Sequence, residues 1–335
     1  MPSDPVTGFE YPQAWTDRCQ DQEGLRQVAE GLAVLTSSGR VLRRGFTTGT
    51  TASAACKAAI LSLGREVHSV QIDLSCGLRV NVPCAGMWGI GTCSKYSGDY
   101  LTDATSGAEF VCLAKSGDEG LRIKYGKGVG RLTRAFNGMS EGDAAVSRNA
   151  SISIERAAAD ALKDLGLEGA DLDLTIRNGA ERAKRTMNEK VGIVGGISIL
   201  GSTGLVEPWD DHVETSVMER IRQGGPVVLT TGRTGLRYSR LLFPERESVL
   251  VGVNMGQAIK EANGNVVLCG MPGLILKFLD PDILEGTGCV TVDEMMMDER
   301  WKERMESALH SAKTVREDLR VVLVGRDGKI LGDSG

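Results

Sequence analysis

VVLTTG (227–232) is a continuous apolar run that stops abruptly at threonine and glycine. The same form recurs downstream in SVLVGV (248–253), NVVLCG (265–270) and VVLVG (321–325), with helical segments such as GQAIKEA and ERWKERMESALHSA between the runs. A strand covered on one face alternates apolar and polar residues, whereas a strand covered on both faces has no reason to alternate. Continuous runs separated by helices therefore predict an α/β domain with a mostly parallel, doubly wound sheet. Ligands of such sheets sit beyond the carboxyl ends of the strands, which makes site candidates of the loops at Thr231-Gly232, Asn254 and Gly270-Met271-Pro272-Gly273.

The preceding half follows a different pattern. Val70, Ile72 and Leu74 share one face of a strand, Cys76-Gly77 marks a turn, and Leu78, Val80 and Val82 alternate again, which predicts a hairpin. A second hairpin is expected between EFVCLAK (109–115) and LRIKY (121–125), joined by SGDEG. Ile154, Ala158, Ala161, Leu162 and Leu165 mark the core face of a helix that stops at Gly166, and DLDLTIR (171–177) returns to strand period. Hairpins with a few helices make this half α+β. The first forty residues read as an appendage, with a short helix near Glu23 to Glu30 and two strands around a Ser-Ser-Gly turn. The expected division is an N-terminal extension (1–40), an α+β domain (41–190) and an α/β domain (191–335).

A chain of 335 residues is long for one hydrophobic core, and 41% apolar with 25% charged residues is the composition of a soluble globular protein. No apolar run is long enough to cross a bilayer, and the start MPSDPVTGFEYPQAW lacks the basic-then-apolar order of a secretory signal, so a cytoplasmic protein is expected. The eight cysteines form no C-x-x-C pair, and His68, His212 and His310 follow no ligand spacing, so no protein-bound metal is expected. A net charge of -5 argues against a general nucleic-acid binder. Its distribution is uneven. Residues 40–57 carry Arg40, Arg43, Arg44 and Lys57 without an acid, and LRIKYGKGVGRLTR (121–134) carries Arg122, Lys124, Lys127, Arg131 and Arg134 without an acid. Loops cleared of carboxylates suit a negatively charged small molecule, or else they are solvated basic faces.

Three motifs have a chemical and a structural reading. In RRGFTTGTTASAACKAAI (43–60), a helix starting near Gly49 to Thr51 would offer unpaired amides and threonine hydroxyls to phosphate or carboxylate. Its alanines are equally what a helix crowded between layers requires. KVGIVGGISILGSTGLVEPW (190–209) nearly spells a P-loop, but Ser202-Thr203 stand where Lys-Ser/Thr should, which discounts an ATPase and leaves close ligand approach or tight packing. In YGKGVG, Gly126, Gly128 and Gly130 give a G-x-G-x-G after a strand, a pattern that turns commonly produce. Asp103, in YLTDATSG, is a candidate general base, or a cap of its own turn.

Taken together, RRGFTTGTTASAACKAA (43–59), Asp-Ala-Thr-Ser-Gly at 103–107, GKGVG at 126–130, AKRTMNEKVGIVGGISILGSTGLVEPW (183–209) and GMPGLILKF (270–278) resemble the cobalt-precorrin-5B C(1)-methyltransferases of anaerobic cobalamin biosynthesis. Many relatives have GHPGK where this chain has GMPGL, and the aromatic-bearing YPQAW resembles the extension of archaeal members. The resemblance implies methyl transfer from S-adenosyl-L-methionine to ring carbon 1 of a cobalt-corrinoid whose acetate and propionate groups need cations and amides. It implies substrate contacts from Arg43, Arg44, Thr47, Thr48, Gly49, Thr50, Thr51, Lys57 and Lys127. The donor falls to Gly195, Gly196, Ser198, Gly201, Thr203, Gly204, Thr231, Gly232, Gly270 and Gly273. A homo-oligomer is compatible with this reading, nucleic acid and membrane are not expected partners, and the alternatives are a non-catalytic corrinoid carrier or a small-molecule kinase.

Overall fold

Thirteen of the fourteen residues of helix Thr48–Leu61 are buried, which explains why it is built of small residues. It lies between helix Arg148–Leu165 and the sheet, in contact with both. A Cβ on Gly91 of strand Ile90–Ser94 would stand 2.2 Å from the Ala55 carbonyl oxygen, so only glycine lets strand and helix approach this closely. On the other side, the Ser53 and Ser153 hydroxyls meet at 3.0 Å. The computed structural model describes residues 3–135, 138–208, 221–222 and 225–335. The chain divides into one unit of Arg43–His212 and another of Met1–Leu42 with Val213–Gly335. His212 lies outside the described residues.

In the first unit a six-stranded sheet runs in the order Val67–Asp73, Arg79–Met87, Ile90–Ser94, Glu109–Gly117, Gly169–Arg177, Gly120–Tyr125. The first hairpin forms as expected, with Val70 opposite Val82 and Ile72 opposite Val80. The second does not. Strand Gly169–Arg177 lies between its two arms, antiparallel to Glu109–Gly117 and parallel to Gly120–Tyr125. Burial explains the exchange. Leu172, Leu174 and Ile176 are at most 2% exposed, so their strand takes the interior position, while Gly120–Tyr125 has no buried residue and forms the edge. Helix Arg148–Leu165 ends, as its sequence predicts, at Gly166 in the left-handed conformation.

The second unit holds a five-stranded sheet in the order Glu247–Leu250, Val227–Thr231, Val266–Gly270, Arg320–Val324, Ile330–Asp333. Its first three pairings are parallel and the last is antiparallel. Every residue of Val227–Thr231 and of Val266–Gly270 is buried, the physical reason for their unbroken apolar runs. The whole is a mixed α/β molecule with several sheets.

Two expected boundaries differ from this division. The first forty residues are no appendage: Phe9, Tyr11 and Trp15 are buried, the Phe9 ring lies 5.6 Å from that of Tyr238, and the Ser37 amide donates to Leu241 O. Aromatic burial draws this segment into the unit that contains the C-terminal sheet. Conversely, the glycine-rich segment after residue 190 belongs with the preceding unit. Gly196–Ile197 pairs with Gly128–Val129, and Leu205–Val206 pairs with Gly45–Phe46.

Candidate functional site

The mouth of helix Thr48–Leu61 is closed by the loop at 200–204. Thr47 caps the helix, its hydroxyl accepting from the Thr50 amide at 3.2 Å. The Gly49 amide donates to Leu200 O at 3.0 Å, and the Thr51 amide to Thr47 O. The hydroxyls are occupied as well: Thr50 donates to Gly204 O at 2.7 Å, Thr51 to Thr47 O at 2.9 Å, and Thr48 exchanges bonds with the Leu200 backbone. Thr47, Thr48, Thr50 and Thr51 are at most 7% exposed. Of the two readings of this motif, the hydrogen bonds and burial of Thr47, Thr48, Gly49, Thr50 and Thr51 favour packing over direct contact with substrate carboxylates. Of the amides an anion would need, those of Gly49 and Thr51 go to backbone carbonyls and that of Thr50 to the Thr47 hydroxyl.

The neighbouring cations are also engaged. Arg44 has a fully buried side chain, and its Nε lies 3.1 Å from both carboxylate oxygens of Glu207. The backbone amide of Arg43, not its guanidinium, donates to Asp99 Oδ2 at 2.7 Å. Lys57 sits further along the helix, bonded to Gln71 O at 2.9 Å and Asp160 at 3.2 Å. Asp103 is a saturated carboxylate: Lys95 pairs with it, Ser97 donates to it at 2.6 Å, and the Thr105 amide and hydroxyl donate at 2.8 and 2.6 Å. Burial pushes its carboxyl up, but the Lys95 charge and these hydrogen bonds outweigh burial and hold it below the usual carboxylate range. A group so stabilised as its anion is a poor proton acceptor, and these bonds order the 95–107 loop around Asp103.

The glycines separate into two groups. A Cβ on Gly196 would lie 2.1 Å from Gly128 O, which makes this part of the near P-loop a backbone packing joint. Ser198 donates to Asn188 Oδ1, Thr203 donates to Leu205 O, and Gly201 and Gly204 rest against the side chains of Thr47 and Thr50. Gly195 is exposed, with a φ of 75°. Thr231, Gly232, Gly270 and Gly273 lie in the other unit, so the expected donor set is split. Within that unit Thr231 pairs with Gly270 at the carboxyl ends of adjacent parallel strands. Two helices, Gly232–Leu242 and Pro272–Leu279, begin directly after these strand ends. That is where a doubly wound sheet accepts a ligand.

The acid-free 121–134 segment is more informative than its G-x-G-x-G. Arg131 pairs with Val194 and Leu132 with Ile193, and helix Gly179–Ala183 contacts strands Gly128–Val129 and Gly196–Ile197, which brings the segment of Lys127, Arg131 and Arg134 beside that of Lys184, Arg185 and Lys190. The sequence reading assigned only Lys127 from this strip; the basic residues of AKRTMNEK were the available signal. Burial pushes the Cys84 and Cys269 thiols up to about 11 and Cys93 up to about 12, away from the reactive thiolate form. Among the described residues no group of three or more His, Cys, Asp or Glu could hold a metal ion. No helix among them is long and apolar enough to cross a membrane.

A family profile named CbiD matches residues 35–208. A protein of Methanoculleus marisnigri, "Cobalt-precorrin-5B C(1)-methyltransferase", is 50% identical over 98% of this chain and 99% of its own. A protein of the same name from Methanospirillum hungatei is 45% identical over 99% of both chains. Among solved structures, the crystal structure of "cobalamin biosynthesis protein (cbiD)" from Archaeoglobus fulgidus is 34% identical, with a TM-score of 0.57 over 97% of this chain and all of that one.

Proposed function

This chain belongs to the CbiD family, and from that premise we propose that it transfers the methyl group of S-adenosyl-L-methionine to ring carbon 1 of cobalt-precorrin-5B, giving cobalt-precorrin-6A in cobalamin biosynthesis. The observation that carries the reading is the end-to-end match with relatives of that name. The chemistry asks little of the protein beyond placement. The electron pair of the nucleophilic ring carbon forms the new C–C bond as the methyl–sulfur bond breaks, and the sulfonium leaves as neutral S-adenosylhomocysteine. Holding donor and acceptor in line can supply about 7–11 kcal/mol of the barrier.

The donor is assigned to the loops at the carboxyl ends of the parallel strands, at Thr231, Gly232, Gly270 and Gly273. Residues 200–204 are reassigned from donor binding to closing the helix mouth, and Gly196 and Ser198 to packing on Gly128 and Asn188. The setting is cytoplasmic, where both reactants are small soluble molecules. Incubation with methyl-labelled S-adenosyl-L-methionine and cobalt-precorrin-5B is expected to place label on the ring. Corrinoid binding with no donor affinity and no transfer would instead make the protein a carrier.

A further inference from the structure

Segments 126–134 and 182–195 form one surface: Arg131 pairs with Val194, Gly128 with Gly196, and the Thr133 amide donates to Gly192 O at 2.9 Å. These segments hold a single acid, Glu189. Two of their cations are consumed internally, Arg131 on Tyr125 O and Arg182 on Ser106 O and Gly107 O. Lys127, Arg134, Lys184, Arg185 and Lys190 are exposed, and among the described residues none has a side-chain hydrogen bond or ion pair. The cations of the sheet face behave differently: Arg122 is matched by Asp171, Lys124 by Asp173 and Arg177 by Glu109. Glu181 precedes the strip, and Glu141 and Asp143 flank it through the Leu132 amide, which donates to Asp143 O; with Glu189 they still leave its charge positive.

Apolar surface lies among these cations. Met187, Val191 and Val194 are 42%, 53% and 45% exposed. A surface with an apolar floor and unmatched cations at its rim complements a flat macrocycle edged with carboxylates, the chemistry of a corrinoid precursor. We propose that this strip receives the corrinoid, with Val191 and Val194 against the ring and Lys184, Arg185 and Lys190 on its acetate and propionate groups. The assignment rests on the methyltransferase reading for the identity of the ligand, but its test does not require turnover.

The probe is cobyrinic acid, a corrinoid with free carboxylates, titrated by absorbance against its neutral heptamethyl ester. Replacement of Lys184, Arg185 and Lys190 by glutamine is expected to weaken acid binding about tenfold, as the sum of three exposed charge contacts, while ester and S-adenosylhomocysteine affinities stay unchanged. Val191→Asp alone is expected to weaken acid and ester together, and serves if the triple variant does not fold. Equal acid binding by wild type and triple variant, or no acid binding by wild type, overturns the inference. Failure of the methyltransferase reading looks different: acid binds and depends on the three cations, but wild type transfers no label.

Discussion

The helix mouth at 47–51 and the basic strip at 127–134 and 184–190 both present the residue types that bind anions, but they differ in what those residues already touch. At the mouth each threonine hydroxyl has an internal partner, those of Thr48 and Thr50 in the 200–204 loop and those of Thr47 and Thr51 within residues 47–51. On the strip five cations face solvent with none among the described residues. Ligand-binding capacity resides in unspent donors, and the second region has five unspent cations. Substitutions at the first should therefore register as lost stability, and at the second as lost affinity.

The largest effect is expected at Lys95, on the stabilising side of the comparison. Lys95→Met leaves the buried Asp103 carboxylate without its cation, at a cost of about 3–5 kcal/mol in chemical denaturation. A loss well under that range would mean that Asp103 is less committed to structure than its four donors indicate. The linked pH effect has a definite sign. Because the folded carboxyl titrates below its ordinary 3.8, it lends stability that is complete above that value and lost as pH falls through the lower folded value. Asp103→Asn should accordingly flatten the acid limb of the stability curve below about pH 4.

Next in size is Gly196→Ala, whose Cβ would stand 2.1 Å from Gly128 O. Overpacking of this kind costs about 1–3 kcal/mol, and thermal unfolding should record it without a specific change in donor affinity. Unaltered stability with weakened S-adenosylhomocysteine binding would return this loop to the donor site. Thr50→Val removes the 2.7 Å bond to Gly204 O and should cost about 1–2 kcal/mol. The smallest effect sharpens the other side: corrinoid affinity should fall gradually with added salt, since exposed charges are screened over about 10 Å at 0.1 M. Salt-independent binding would place the carboxylates on buried partners.

Much of this arrangement is legible in the residues. Unbroken runs such as VVLTTG report strands covered on both faces, and the alternation of Val70, Ile72, Val80 and Val82 fixes a hairpin, because local period records burial directly. Long-range competition is not recorded locally. Nothing in residues 109–125 announces that Gly169–Arg177 will enter between the two arms, since that outcome depends on which strand gains more from burial. The same limit governs the site. Thr47 to Thr51 read equally as ligand donors or as packing, and the choice was made by Leu200 and Gly204, some 150 positions away in the chain. Arg44 reads as a free cation until Glu207 meets it. The basic strip was half visible, because Lys127 and AKRTMNEK come together only through the pairing of Arg131 with Val194.

The contrast is tested most directly by measuring cobyrinic acid affinity and thermal stability together for two variants, Thr48→Val/Thr50→Val and the triple glutamine replacement of Lys184, Arg185 and Lys190. The threonine variant should unfold at a lower temperature and, while folded, bind the corrinoid as wild type does; the glutamine variant should keep its unfolding temperature and bind about tenfold more weakly. The opposite outcome, weak binding in a fully stable threonine variant and intact binding in the glutamine variant, would contradict the account.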